Sequence, residues 1–337
     1  MAQHSANSRN HSSVRRGVQA GNPGMTRILV TGASGLLGLN FALTYSRRHQ
    51  VTGVVNAHPL TGAPFQVLNA DLAKPGSIGE ILDRVKPDVV LHCAALANVD
   101  QCERQPELAW RLNTDLPEEV AQATADRGIV LVHISTDAVF DGKTGRYTEE
   151  SQPNPLGAYA RTKLAAEHAV LQAYPEALIA RVNFYGWSLG GQRSLAEFFF
   201  NHLSAGTPVR GFTDVFFCPL EVTVLAETLM RLVEAHCSEI YHVVSGECLS
   251  KYEFGCAVAR RFGLDEGLIQ PVSVHEGGLL AARSPDLRLR TDKLAGVLGS
   301  PAPDQETSMQ RFFELYQAGH PQQLRALALG VDSHISG

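Results

Sequence analysis

Gly32, Gly35 and Gly38 fall three apart at the point where a short β-branched apolar run, Ile28-Leu29-Val30-Thr31, gives way to a segment with helical periodicity (Leu36, Leu39, Asn40, Phe41, Leu43). Strand, tight turn and helix in that order is the context a dinucleotide-binding glycine loop requires. Gly32 permits the sharp turn out of the strand. Gly35 lets the backbone approach a pyrophosphate with no Cβ in the way, and Gly38 lets the helix lie close to the strand. The helix start offers free N–H groups and the positive end of its dipole to phosphates. Gly32, Ser34, Gly35, Leu36 and Gly38 are therefore the candidate contacts of the loop. A glycine-rich turn between any strand and helix has the same composition, so the flanking elements are what give the pattern weight.

The rest of the first half keeps the same rhythm. Strand-like runs at 51–56, 66–69, 88–93, 129–135 and 177–183 alternate with helix-like segments at 77–85, 103–126 and 159–173. Nearly continuous apolar strands interleaved with helices predict a parallel sheet covered on both faces. The expected class is α/β, a Rossmann-type doubly wound parallel sheet. Past about residue 186 the rhythm breaks. Brief strand hints at 209, 215–217 and 241–244 mix with helices near 193–204, 221–235, 251–263 and 304–317. The expected organisation is a polar disordered tail at 1–25, an NAD(P)-binding domain at 26–186, a smaller irregular α/β substrate-binding part at 187–320, and a frayed end at 321–337. The tail lacks the apolar stretch of a signal peptide, and Met25 is a candidate natural first residue.

Bulk numbers narrow the function classes. With 337 residues, 44% apolar and 19% charged, the chain has the composition of a globular protein with a sizeable core. A net charge of −5 gives no reason to expect a nucleic-acid partner. No run approaches the roughly 18 apolar residues of a membrane span. The six cysteines, Cys93, Cys102, Cys218, Cys237, Cys248 and Cys256, form no Cys-x-x-Cys pair and no metal-ligand spacing. They read mostly as reduced core residues of a cytoplasmic protein, and no metal is expected.

Two further features carry chemistry. Tyr159 and Lys163 are four apart, on one helix face. A nearby ammonium favours phenolate and would lower the tyrosine pKa toward working pH. Such a tyrosine can hand a proton to a carbonyl oxygen as hydride reaches the carbon. Ser135-Thr136-Asp137 ends the apolar 129–135 run, and ligands of doubly wound sheets bind at the carboxyl ends of strands. Thr136 is thus a candidate hydrogen-bond donor to a substrate carbonyl, against the plainer role of a cap or turn residue.

These residues resemble the extended short-chain dehydrogenase/reductases, and within them dTDP-4-dehydrorhamnose reductase and its relatives. The likeness rests on the glycine loop, Asn69-Ala70-Asp71-Leu72, Pro87-Asp88-Val89-Val90-Leu91-His92-Cys93-Ala94-Ala95, Asn113, and Ile134-Ser135-Thr136-Asp137-Ala138-Val139-Phe140-Asp141-Gly142. It continues through Tyr159 with Lys163 and the stretch from Arg283 to Lys293-Leu294, covering about residues 25–318. The resemblance implies that Thr136, Tyr159 and Lys163 form the catalytic trio. Asp71 and Leu72 would lie beside the adenine, and Ala94 and Ala95 along the ribose and nicotinamide. It implies a nucleotide-linked sugar as substrate and a homodimer as the assembly.

Departures from the family pattern shape the substrate. The residue after Thr136-Asp137 is acidic in sugar-nucleotide dehydratases and usually Tyr in rhamnose reductases. Here it is Ala138, which speaks against dehydration and puts rhamnose specificity in doubt. Phe184 stands where many relatives carry Asn or Trp, and reads equally as a sugar contact or as core. Trp187, Arg193 and Arg283 are further pocket candidates, arginine being suited to a diphosphate and Trp187 leaning to packing. The second strand ends at Asn56, where NAD-selective sites carry an acid for the ribose 2′-OH. With that acid missing and His58, Arg47 and Arg48 nearby in sequence, NADP(H) is favoured over NAD(H). The expected activity is reduction of a nucleotide-linked 4-keto-6-deoxy sugar. A sugar-nucleotide epimerase is the alternative. So is a regulatory subunit that keeps the fold without turnover, as in methionine adenosyltransferase.

Overall fold

Seven parallel strands make the central sheet: β1 (Arg27–Thr31), β2 (Gln50–Val55), β3 (Gln66–Asn69), β4 (Val89–His92), β5 (Val130–Thr136), β6 (Leu178–Val182) and β7 (Glu239–Val243). The structure is a computed structural model that describes residues 25–276 and 284–328. The expected tail up to residue 24, and residues 329–337, lie outside the described residues. Strand order is β7-β6-β5-β4-β1-β2-β3, with every neighbouring pair parallel. Ile28, Leu29 and Val30 are fully buried, which is why the strand reads as a continuous apolar run rather than an alternating one. The order reverses between β1 and β4, and it is at the carboxyl ends of the strands at such a reversal that doubly wound sheets bind ligands.

Helices cover both faces: α1 (Leu36–Tyr45), α2 (Ser77–Val85), α3 (Val99–Arg104), α4 (Pro106–Trp110), α5 (Leu116–Ala125), α6 (Ala158–Ala173), α7 (Leu195–Ser204), α8 (Val222–Glu234), α9 (Lys251–Phe262), α10 (Asp292–Leu298), α11 (Gln305–Gln317) and α12 (His320–Ala328). The single helix expected over 103–126 is broken twice. Gln105 precedes Pro106 and leaves the helical region (φ −132°, ψ 65°), as steric conflict with the proline ring requires. Between α4 and α5, residues Arg111–Asp115 wind as a π-helix, just before Pro117, which has no N–H for the normal ladder.

The boundary at 186 is not a clean cut. Strand β7 comes from the second half of the chain and completes the sheet by pairing with β6. Helix α8, which precedes it, packs on α1. The sequence hint at 241–244 was short because β7 is an edge strand with an exposed start. The C-terminal fraying expected from 321 does not hold over α12. Leu324 is fully buried, His320 Nε2 lies 2.8 Å from Asn40 Oδ1 on α1, and the Thr61 amide donates to the Leu327 carbonyl.

Two cysteines are not the reduced core residues expected. Cys218 and Cys248 form a disulfide with Cα atoms 4.1 Å apart. Antiparallel pairing of Phe216 and Phe217 with Ser250 and Leu249 sets the two cysteines side by side, a neighbourhood invisible across 30 residues of sequence. Cys93, Cys102, Cys237 and Cys256 are free. Denatured, unreduced protein is therefore expected to titrate four thiols, and the reduced protein all six. Six thiols before reduction would show that the bridge does not form.

Candidate active site

The glycine loop has the shape the sequence calls for. Gly32 adopts φ +66°, and a Cβ there would lie 2.8 Å from the Ala94 nitrogen. A Cβ on Gly38 would collide with the Gly32 carbonyl. Gly35 is the N-cap of α1 and no side chain caps that helix, so its first-turn N–H groups are left for a ligand. By contrast α7 and α9 each close their start with a capping box, Ser194 with Glu197 and Ser250 with Glu253. The loop thus fits a pyrophosphate in both space and hydrogen-bonding capacity. Ser34 and Leu36 are half-buried along it.

Ala94 and Ala95 follow β4, and the Ala94 amide donates to Thr31 Oγ1 at 3.2 Å. Ala95 is exposed. Asn56 and Asp71 sit together past the ends of β2 and β3, with Asn56 Nδ2 donating to Asp71 Oδ1 at 3.3 Å. Asp71 also accepts from the Ala73 amide, so the turn role holds for it as well. Leu72 is buried in the core beneath the sheet with Val54, Leu68 and Ile78, so its side chain packs there and does not face a ligand. Arg47 and Arg48 are at the wrong edge. They precede β2, whose six residues span about 20 Å at about 3.3 Å each, and the cofactor edge is its far end. His58 is exposed at that far end.

Thr136 ends β5, and Tyr159 and Lys163 lie on the first two turns of α6. The Tyr159 phenol lies beside the Thr136 hydroxyl. Thr136 Oγ1 donates to Asp137 Oδ1 and accepts from the Ala138 amide, both at 3.2 Å. The start of α6 is fixed by Glu103 on α3, whose carboxylate accepts the Ala158 amide at 2.6 Å. Asn113, on the π turn, accepts from the Leu96 amide at 2.7 Å and donates to Thr162 Oγ1 at 3.1 Å, tying the same helix to the loop after β4.

The electrostatics differ from the expectation. Lys163 does not pull the tyrosine toward phenolate. Burial pushes Tyr159 up to about 12, helped by the neighbouring Asp137 charge and opposed by the Thr136 hydrogen bond. Burial lowers Lys163 to about 8, against the attraction of Glu167. The reason is geometric: Lys163 Nζ turns to His133 Nε2, 3.3 Å away on β5. At neutral pH the phenol is fully protonated, the state a proton donor needs.

Three residues of this neighbourhood were not anticipated. Asp137 is buried, and burial raises it to about 6, with Asn183 Nδ2 donating to it at 2.5 Å and Lys251 among the charges that draw it back. The available signal was register. Thr136 pairs with Val182 across β5 and β6, which brings Asn183 beside Asp137. His133 was hidden inside an apolar strand. Among the pocket candidates, Ala138 begins the half-exposed face of the 3₁₀ turn Asp137–Val139. Phe184 is half-buried against the core in the short strand Phe184–Tyr185. Trp187 is core, not a ligand contact: its ring stacks on Phe312 at 4.1 Å and its Nε1 donates to the Phe312 carbonyl at 3.0 Å. The Arg193 side chain is exposed, and its backbone amide donates to Glu197 Oε2 at 2.9 Å. Arg283 lies outside the described residues. Among those residues no helix is long and apolar enough to cross a membrane.

Comparison with known proteins agrees with this geometry. Residues 25–318 match the model of the RmlD substrate binding domain family. The chain is 34% identical over 286 residues to the protein named "Probable low-salt glycan biosynthesis reductase Agl14" of Haloferax volcanii, covering 83% of this chain and 95% of that one. It is 33% identical over 260 residues to methionine adenosyltransferase 2 subunit beta of Xenopus laevis, covering 73% and 75%. A crystal structure of a hypothetical dTDP-4-dehydrorhamnose reductase from Sulfolobus tokodaii superposes with a TM-score of 0.74 at 29% identity, covering 84% of this chain and 98% of that one. The chain belongs to the RmlD substrate binding domain family and with it to the extended short-chain dehydrogenase/reductases, a class of NAD(P)-dependent oxidoreductases.

Proposed function

We propose that this chain is an NADPH-dependent reductase of a nucleotide-linked 4-keto-6-deoxy sugar, with Tyr159 as the proton donor. The observation that carries the reading is the Tyr159 phenol set beside the Thr136 hydroxyl, in a fold whose glycine loop leaves the start of α1 uncapped. When bound, the reduced nicotinamide supplies a hydride to the carbonyl carbon. Thr136 orients the carbonyl oxygen, Tyr159 gives it a proton, and the phenolate left behind regains one from water. Lys163, buried one helical turn on, holds a positive charge near that phenolate and reaches for the cofactor ribose. The methyl group of Ala138 cannot protonate a leaving hydroxyl, so the site is a reductase rather than a dehydratase.

NADPH is favoured because the end of β2 carries a neutral, exposed Asn56, with exposed His58 two residues on and no acid on that strand end to repel a 2′-phosphate. Half-exposed Ala138, half-buried Phe184 and exposed Arg193 are the remaining described pocket candidates for the sugar and its diphosphate. The homodimer implied by the family resemblance and the cytoplasmic location read from the cysteines belong to the same proposal.

A second reading has one observation in its favour, the 33% identity to a subunit of methionine adenosyltransferase. Purified protein given NADPH and a dTDP-4-keto-6-deoxy sugar should lose the absorbance of the reduced nicotinamide in step with sugar alcohol formed. Tight NADPH binding with no oxidation across a panel of keto sugars would overturn the reductase in favour of the non-catalytic subunit. Tightly retained NAD with interconversion of sugar epimers would favour the epimerase instead.

A further inference from the structure

Lys163 is held by more than its own helix. Its Nζ lies 3.3 Å from His133 Nε2, and both residues are almost completely buried. An ammonium carries only donors, so His133 must accept, and its remaining proton must sit on Nδ1. His133 pairs in register with His92 on β4, and the two rings stack with centroids 5.5 Å apart. His92 Nδ1 is 2.8 Å from Thr31 Oγ1, which in turn receives the Ala94 amide next to the glycine loop. The rings therefore join the Lys163 head group to the loop that follows β4.

We propose that His133 is a positioning residue for Lys163: its Nε2 accepts a hydrogen bond from the ammonium, keeping that buried group charged and turned toward β5. The proposal rests on the reading of Lys163 as part of the catalytic trio. Every group that faces the ammonium has a defined charge state. Burial, and then the charge of Lys163 itself, hold His133 well below its usual range and lower His92 to about 3, so both stay neutral acceptors at any working pH. Burial pushes the Cys93 thiol up to about 12, so it too is neutral. On its own helix Lys163 has the Tyr159 phenol one turn back and the Glu167 carboxylate one turn on. Glu167, and less so Cys93, favour the cation against burial, and His133 Nε2 is the acceptor in contact with it. With Lys163 already drawn down to about 8, loss of Glu167 or of His133 shifts its charge at neutral pH.

The test reads Lys163 directly and does not depend on the substrate. In full-length protein carrying ¹³C-labelled lysine, the Lys163 titration should move down by about one pH unit or more in His133→Phe and stay close to wild type in His133→Gln, whose amide oxygen still accepts. With NADPH and a keto sugar, the alkaline limb of kcat/KM should move the same way. An unshifted Lys163 titration in a folded His133→Phe protein overturns the proposal. Wild-type protein supplies a check that no folding defect can blur: ¹⁵N imidazole spectra should show His133 as the Nδ1–H tautomer, and an Nε2–H tautomer overturns the proposal. A shifted Lys163 titration in a protein that turns over no keto sugar supports the positioning role while the reductase reading falls.

Discussion

Replacing Tyr159 with Phe should cut turnover by about 10³-fold, within the roughly 10²- to 10⁴-fold typical of a lost general acid, while NADPH binding stays within about twofold. The change removes one oxygen and keeps the ring. The hydroxyl is the atom that meets Thr136, and it is protonated at neutral pH because burial pushes it up to about 12. About 10³ in rate corresponds to about 4 kcal/mol of transition-state stabilisation, since each tenfold step is about 1.4 kcal/mol. The measurement is single-turnover NADPH oxidation with saturating keto sugar, paired with fluorescence titration of NADPH. A rate within about tenfold of wild type would remove Tyr159 from the proton-donor role. A large fall in NADPH affinity would mean instead that the hydroxyl holds the cofactor.

Most of the sheet was legible because parallel strands buried on both faces must be apolar throughout, and 27–31, 89–92 and 130–136 are nearly so. The glycine loop was legible because a Cβ fits neither against Ala94 at Gly32 nor against the Gly32 carbonyl at Gly38. What stayed hidden depends on non-local pairing. Strand β7 joins the sheet only through its register with β6, and no local periodicity announces that. Cys218 and Cys248 meet through the pairing of Phe216 and Phe217 with Ser250 and Leu249. Trp187, a pocket candidate that leaned to packing, is core because α11 brings Phe312 over it. The placing of Tyr159 and Lys163 on one helix face was readable from spacing, but the charge states were not. The i, i+4 geometry that puts Lys163 near Tyr159 also lets it turn toward His133, and only the cross-strand arrangement decides which partner it takes.

A fully buried ion pair explains how α6 keeps Tyr159 and Lys163 in register, and its disruption should have a large effect on stability. Glu167 is one turn beyond Lys163 and fully buried, and Arg181 on β6 is 2% exposed. Arg181 Nη2 donates to Glu167 Oε2 at 2.7 Å and Nε donates to Oε1 at 3.0 Å, while Ser135 Oγ donates to Oε1 at 2.5 Å. The guanidinium also lies 5.0 Å over the Phe140 ring. Helix α6, β5 and β6 are thus joined through one carboxylate near the carboxyl ends of the strands. Glu167→Leu leaves a cation buried without its counter-charge, and Arg181→Met leaves an anion in the same state. Each should cost about 3–5 kcal/mol in urea-induced unfolding, the range for a broken buried pair. The pair itself should contribute far less, because its desolvation offsets most of its attraction. The double variant Glu167→Leu with Arg181→Met should therefore recover most of the loss, giving a strong coupling in the double-mutant cycle. Single variants within about 1 kcal/mol of wild type, or a double variant as unstable as the sum of the singles, would show that packing alone, not this ion pair, sets the position of α6.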